Sequence, residues 1–295
     1  MSKHYIFYNP KAGGGASAAE IESFVRDNEG AVLFDVTAID GYRSICAQLG
    51  DGDRVTVCGG DGTLNRFINS VGDLNEGCEV YYFPSGSGND FMREYAEREG
   101  LCADFRGPVR INEYIRALPT VTVRDADGEV ESLFINGVGY GIDGYCCEEG
   151  DRLRAQSDKP VDYTAVAVKG LLFGYKPCDA IVEVDGKGYR FKKVWIAPVM
   201  KGKYYGGGMI PAPEQDRFGE ELSLTVFHGS GKLRTLMIFP SIFKGEHVKC
   251  EKQVTVLRGK DIKVTFDQPR PLQIDGETVS GVKGYRATVG ARVMK

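Results

Sequence analysis

The chain has 295 residues, 42% of them apolar, and a formal net charge of −4. That length suits two domains or one large one. No apolar run approaches the roughly 18 residues of a membrane span, and the acidic balance argues against bulk nucleic-acid binding.

Met1-Ser2-Lys3-His4 leads straight into a strand, so no signal peptide is expected. Strand 4–9 ends in Asn9-Pro10-Lys11-Ala12-Gly13-Gly14-Gly15. Ser17-Ala18-Ala19-Glu20 then has the form of a capping box, and Ile21, Phe24 and Val25 give the following helix its apolar face. A strand over 31–36 and a helix over 42–49 follow. Strand 54–58 runs into Cys58-Gly59-Gly60-Asp61-Gly62-Thr63-Leu64-Asn65. The helix behind it, 64–71, places Leu64, Ile68 and Val71 on one face. Strand 79–83 runs into Pro84-Ser85-Gly86-Ser87-Gly88-Asn89-Asp90-Phe91. Helices over 89–96 and 110–118 close an α/β pattern with a mainly parallel sheet, residues 1–119.

After Thr120 the pattern becomes antiparallel β, as expected for a sandwich domain over 120–284. Val121 to Val123 and Val130 to Ile135 form a hairpin about Asp127-Gly128. Ile181 to Val184 and Tyr189 to Phe191 form another about Asp185-Gly186, with type I′ geometry. Strands over 221–227, 253–257, 261–266 and 271–275 follow. One helix interrupts them, with Leu233, Leu236, Met237 and Phe243 at helical spacing near Pro240.

Three glycine-rich turns after three successive strands define one crevice, because ligands of α/β sheets bind beyond the carboxyl ends of the strands. Glycine lets the backbone approach a bulky ligand, and a helix N-terminus favours phosphate. Asp61 would repel a bare phosphate but suits Mg²⁺ held between itself and a nucleotide. Thr63 and the amides of residues 60–64 can donate to phosphate oxygens. Asn9 and Lys11, with Gly59, Gly60, Gly62, Gly86, Ser87, Gly88 and Asn89, complete the cradle. No Gly-Lys-Ser/Thr ending appears, so none of the turns is a Walker loop.

Asn9-Pro10…Gly13, Gly59 to Thr63 and Gly86 to Phe91 resemble the three N-terminal signatures of the diacylglycerol kinase catalytic domain, most closely its bacterial lipid kinase branch. A fourth, Gln273-Ile274-Asp275-Gly276-Glu277, comes near the end. The resemblance spans about Lys3 to Glu277. It implies a phosphofructokinase-like α/β domain followed by a β-sandwich, with the last residues, Tyr285 to Met294, returning to the first domain. It implies an ATP- and Mg²⁺-dependent kinase acting on the hydroxyl of a membrane lipid, diacylglycerol foremost. Asp275 resembles the general base, with Glu277 as a metal or orienting partner on the same strand face. Asp90 and Asp143 become substrate contacts. The bland reading of Ile-Asp-Gly-Glu is a hairpin turn.

The resemblance also bears on Gly206-Gly207-Gly208, which matches a stretch beside the substrate cleft. Many relatives follow it with Asp-Asp-Gly and a later Asp that hold a structural Mg²⁺; here those places read Phe218-Gly219-Glu220 and Ser223. Gly139-Tyr140-Gly141-Ile142-Asp143-Gly144 matches G-x-G-x-x-G, but the β context argues against a dinucleotide site. Eight scattered cysteines without a Cys-x-x-Cys pair signal neither zinc nor a redox motif. They suit a reduced cytoplasmic compartment, and the resemblance implies a place there peripheral to the inner face of the membrane. Lys169, Lys176, Lys192, Lys193, Lys201 and Lys203 are candidates for a basic membrane-facing patch. Two rivals stay open: a NAD kinase-like small-molecule kinase, and a non-catalytic lipid- or nucleotide-binding regulator. A homodimer is also left open.

Overall fold

The computed structural model describes residues 2–15, 18–86, 88–102, 105, 107–124, 128–157 and 161–294. Ser17 of the expected capping box, Ser87 of the third glycine turn and Asp127 of the expected hairpin lie outside the described residues. The chain divides into two compact units, Met1–Leu118 with Gly290–Lys295, and Pro119–Val289.

The first unit runs β1 (His4–Tyr8), α1 (Ala18–Asp27), β2 (Val32–Asp35), α2 (Arg43–Cys46), β3 (Arg54–Gly59), α3 (Asp61–Val71), β4 (Glu79–Pro84), α4 (Asp90–Glu99), β5 (Val109–Arg110) and α5 (Asn112–Ile115). Its sheet has the order β2-β1-β3-β4-β5. The first four strands are parallel and β5 is antiparallel. Both faces of the sheet are covered, as a parallel sheet requires. Ile6, Cys58 and Phe83 pack with Ile21 of α1, while the Phe7 ring meets Phe34, Tyr42 and Phe67 on the other face. The helix expected over 110–118 is corrected to the four residues of α5. Leu118 precedes Pro119, which disfavours helical backbone there, and the chain extends instead into β6 (Ala117–Arg124). Val293 and Met294 are buried in this unit. The Leu74 amide donates to the Val293 carbonyl, and the Val293 amide to the Arg116 carbonyl.

The second unit continues with β7 (Glu129–Leu133), β8 (Gly137–Tyr140), α6 (Ile142–Gln156), α7 (Tyr163–Lys169), a π-helical turn (Gly170–Gly174), β9 (Cys178–Val184), β10 (Lys187–Val194), β11 (Val199–Met200), β12 (Leu222–Phe227), α8 (Lys232–Ile238), β13 (Val254–Gly259), β14 (Asp261–Ile274) and β15 (Glu277–Arg292). The strand path is β13-β12-β11-β8-β14-β15-β6-β7, with β9 and β10 branching from β14. Residues 262–266 of β14 pair with β9, and residues 272–274 pair with β8. The register shifts between them, about Pro269 and Pro271. One long strand thus serves both layers of an antiparallel sandwich. The core between the layers holds Val138, Tyr140, Val182, Leu224, Val264 and Leu272.

The expectation of a single interrupting helix is corrected, because α6 and α7 are helices too. Gly144 and Gly150 disguise α6 in the sequence. A Cβ at Gly144 would lie 1.9 Å from the Pro271 carbonyl oxygen, and one at Gly150 would lie 2.8 Å from the Tyr163 ring. These glycines serve close packing rather than chain bending.

Candidate active site

In the first unit, Asp61 opens α3 and reaches the start of α4. Its Oδ2 accepts the Asp90 amide at 2.7 Å and its Oδ1 the Phe91 amide at 3.3 Å. A carboxylate at a helix N-terminus is favoured by the dipole and the unpaired amides there. Asp61 therefore ties the second glycine turn to the third. The backbones of those turns also touch, since a Cβ on Gly86 would fall 2.4 Å from Gly60 Cα. Asn89 holds the third turn in shape. It lies in the left-handed region at φ +49°, accepts the Gly86 amide at 3.1 Å and donates to the Gly86 carbonyl at 2.7 Å.

The first turn joins them through Asn9, whose Nδ2 donates to Thr63 Oγ1 at 3.0 Å while its Oδ1 accepts the Lys11 amide. Because Thr63 accepts from Asn9, its own hydroxyl proton is left to donate. Gly59 is fixed as glycine by the same residue, since a Cβ there would meet the Thr63 side chain at 2.5 Å. The expected row of amides over residues 60–64 is corrected. The Thr63 and Leu64 amides both donate to the Gly60 carbonyl, which narrows the turn's candidate donors to residues 60–62. Lys11 and Gly88 are exposed, and Asp90 is buried. Sequence reading missed Tyr82, a fully buried side chain whose hydroxyl has no partner among the described residues. Burial first, then the charges of Asp61, Cys58 and Asp90, push that hydroxyl well above its ordinary range.

In the second unit, Asp275 and Gly276 form a two-residue turn between β14 and β15, with φ +46° and +94°. This is the I′ pattern. The expectation that Asp275 and Glu277 share a strand face is corrected. Asp275 is a turn residue, and the exposed Glu277 pairs with Ile274 as the first residue of β15. The Asp275 carboxylate accepts three amides, those of Ile135 at 2.6 Å, Asn136 at 2.8 Å and Gly137 at 2.9 Å. Arg217, also unforeseen, lies on the far side of the same segment. It is buried and donates to the Ile135 carbonyl and, at 2.8 Å, to Asn136 Oδ1. The Ile135–Asn136 peptide thus lies between a guanidinium and a carboxylate, and hydrogen bonds so aligned polarise one another.

Gln273 braces the turn from the end of β14. Its Oε1 accepts the Gly276 amide at 2.7 Å. Over Gly139 its Nε2 converges with Asp143 Oδ2, as a Cβ there would lie 2.6 Å from each. Asp143 sits in the first turn of α6, is buried, and accepts the Tyr205 hydroxyl. Tyr205 opens the loop of Gly206, Gly207 and Gly208, all at positive φ, so Asp143 and the triple glycine, far apart in sequence, meet. Burial pushes the Asp143 carboxyl up to about 7, against the Tyr205 hydrogen bond, which lowers it. Such an acid favours the folded state while protonated. That contribution is complete below the ordinary value of 3.8 and is lost as pH rises through about 7. The melting temperature should therefore fall over that window in the native protein but not in Asp143→Asn, measured by calorimetry across pH. Identical profiles would remove this account of Asp143.

The segment after the triple glycine does not fit a structural metal. Glu214 pairs with Arg258 at 2.9 Å, Asp216 accepts the Phe218 amide, and Ser223 donates to Gln215. Lys201 donates to the Gly219 carbonyl at 3.1 Å. It is buried, which withdraws it from the expected basic patch. No cluster of metal-ligating side chains occurs among the described residues. Burial raises the thiols of Cys146 and Cys147, Cys147 to about 12.

Residues 136–292 match the family model of the YegS C-terminal NAD kinase beta sandwich-like domain, and residues 3–107 match that of the diacylglycerol kinase catalytic domain. The chain belongs to the diacylglycerol kinase-like family of bacterial lipid kinases. It is a kinase. A diacylglycerol kinase of Mycobacterium tuberculosis is 23% identical over 265 residues, covering 87% of this chain and 82% of the relative. A diacylglycerol kinase of Bacillus subtilis is 21% identical over 289 residues, covering 94% and 90%. A crystal structure of a Bacillus anthracis diacylglycerol kinase shares the fold, with a TM-score of 0.59 at 15% identity over 99% of this chain and 95% of that one.

Proposed function

We propose that this kinase transfers the γ-phosphoryl group of ATP to the hydroxyl of a membrane lipid, with diacylglycerol giving phosphatidic acid as the leading case. The observation that carries the reading is the joining of three strand-end turns by Asp61, Asn9 and the Gly60–Gly86 contact. The donors there are backbone amides and a threonine hydroxyl, which suit phosphate oxygens. Asp61 fits a nucleotide-bound Mg²⁺, which takes one or two carboxylates and fills its shell with phosphate and water. When bound, the ion would neutralise charge on the transferring group.

The chain's own residues would position the reactants. Asn9, Lys11, Gly59 to Thr63 and Gly86 to Asn89 would cradle the nucleotide. Asp90 and Asp143 would contact the lipid substrate. Asp275 would accept the hydroxyl proton or set the geometry around it, and Glu277 would orient it or assist the metal. A substrate held in the bilayer would bring the protein to its surface; no helix among the described residues is long and apolar enough to cross a membrane. The test is one incubation with γ-labelled ATP, Mg²⁺ and a fractionated lipid extract in mixed micelles. Label is expected in a lipid that migrates as a phosphomonoester. Label confined to a nicotinamide dinucleotide, or absent from every fraction, would overturn the reading.

A further inference from the structure

Two segments of the second unit stand out from an acidic chain. Residues 163–177 and 229–245 contain five basic side chains, Lys169, Lys176, Lys232, Arg234 and Lys244, and no Asp or Glu. They fold together. The inner faces of α7, the π turn and α8 all enter one core, through Ala167, Leu171, Ile238 and Phe239 against Trp195. Lys232 Nζ donates to the Leu172 carbonyl at 2.9 Å and links α8 to the π turn.

The outer faces are unusual. Phe173 is 78% exposed, Leu233 77% and Met237 67%, with Val168 at 42%. Large apolar side chains at that exposure, clustered and rimmed by charge, mark an interaction surface. The π turn is held in place from within. Cβ atoms at Gly170 and Gly174 would fall 2.6 Å and 2.2 Å from the Tyr145 side chain, so the turn wraps that ring and Phe173 stands outside it. Tyr145 lies on α6, two residues beyond Asp143.

We infer that α7, the π turn and α8 form the face by which this protein docks on an anionic lipid bilayer, with Phe173, Leu233 and Met237 entering the headgroup boundary. The charge pattern selects this occupant, because basic side chains beside exposed apolar ones are what an interfacial membrane element presents. The choice of occupant rests on the lipid-kinase reading, but the test needs no nucleotide and no turnover. Failure of docking and failure of the kinase reading are therefore seen separately.

The experiment is co-sedimentation of the purified full chain with vesicles of phosphatidylcholine, alone or mixed with phosphatidylglycerol. Binding should favour the mixed vesicles and weaken with salt. Phe173→Ser/Leu233→Ser should bind about tenfold or more weakly. Lys169→Gln/Arg234→Gln should lose the preference for phosphatidylglycerol, by roughly fivefold per charge. Melting temperatures should stay near wild type, because these side chains point outward. Equal binding by all the proteins would overturn the inference. So would a dimer that becomes a monomer in Phe173→Ser/Leu233→Ser, which would make this face a contact between two copies of the chain.

Discussion

Asp61→Ala is expected to abolish turnover and to lower stability at the same time. The carboxylate has two duties in this structure. It accepts the first amides of α4 at 2.7 and 3.3 Å, and it is the proposed anchor for Mg²⁺ on the nucleotide. Losing a capping acceptor costs about 1 kcal/mol. Losing a preorganised electrostatic partner of the transferring group costs about 10²–10³ in rate. Asp61→Asn separates the two. Its single side-chain oxygen can still accept the Asp90 amide, but it carries no charge for a cation. Calorimetric titration with Mg-ATP should show affinity lost in both variants, while thermal melting should show Asn destabilised less than Ala. A folded Asp61→Asn that binds Mg-ATP as tightly as wild type would leave Asp61 as a cap alone.

Asp275→Asn is expected to lower kcat by about 10²–10⁴, the usual worth of general-base assistance, with the KM for ATP nearly unchanged. The three-amide clamp sharpens this experiment. Asn is a good I′ turn former, but only one of its two terminal atoms accepts. Its Nδ2 would face an amide donor, most directly that of Ile135, and an unsatisfied buried donor costs about 1–3 kcal/mol. A fall in melting temperature is therefore expected whether or not Asp275 takes a proton. The deciding readout is kcat against pH on the true lipid substrate. A base gives a rate that drops on the acid side in wild type, and this limb disappears in Asp275→Asn. If Asp275 only holds residues 135–137, the limb persists and kcat stays within a few-fold.

The strand-end turns were legible because glycine, proline and asparagine mark backbone that side chains would obstruct, and Gly60 and Gly86 do touch. The α/β half and the sandwich could be read from periodicity for the same reason. What could not be read depends on partners distant in sequence. Asp61 meets amides 29 and 30 residues away, and Asp275 meets amides about 140 residues away. Nothing in Gly-Gly-Asp-Gly or Ile-Asp-Gly-Glu names those partners. Gln273 lies within its motif, but nothing there shows that it accepts the Gly276 amide of the turn. Arg217 lies in no motif, so nothing in the sequence marks its burial. The docking face was hidden by the habit of burying apolar residues. Leu233 and Met237 sit at core-like spacing on α8, yet they project outward, while Ile238 and Phe239 supply the packing.

The burial of Val293 and Met294 in the first unit has a consequence for the order in which the protein is made. Domains generally fold as the ribosome delivers them, N-terminal part first. Here the α/β unit lacks the segment that satisfies Leu74 and Arg116 until Val293 and Met294 have been synthesised. The sandwich, contiguous from Pro119 to Val289, is complete sooner. The first unit therefore waits, with that edge open, for a sequence that emerges after the sandwich has already been specified.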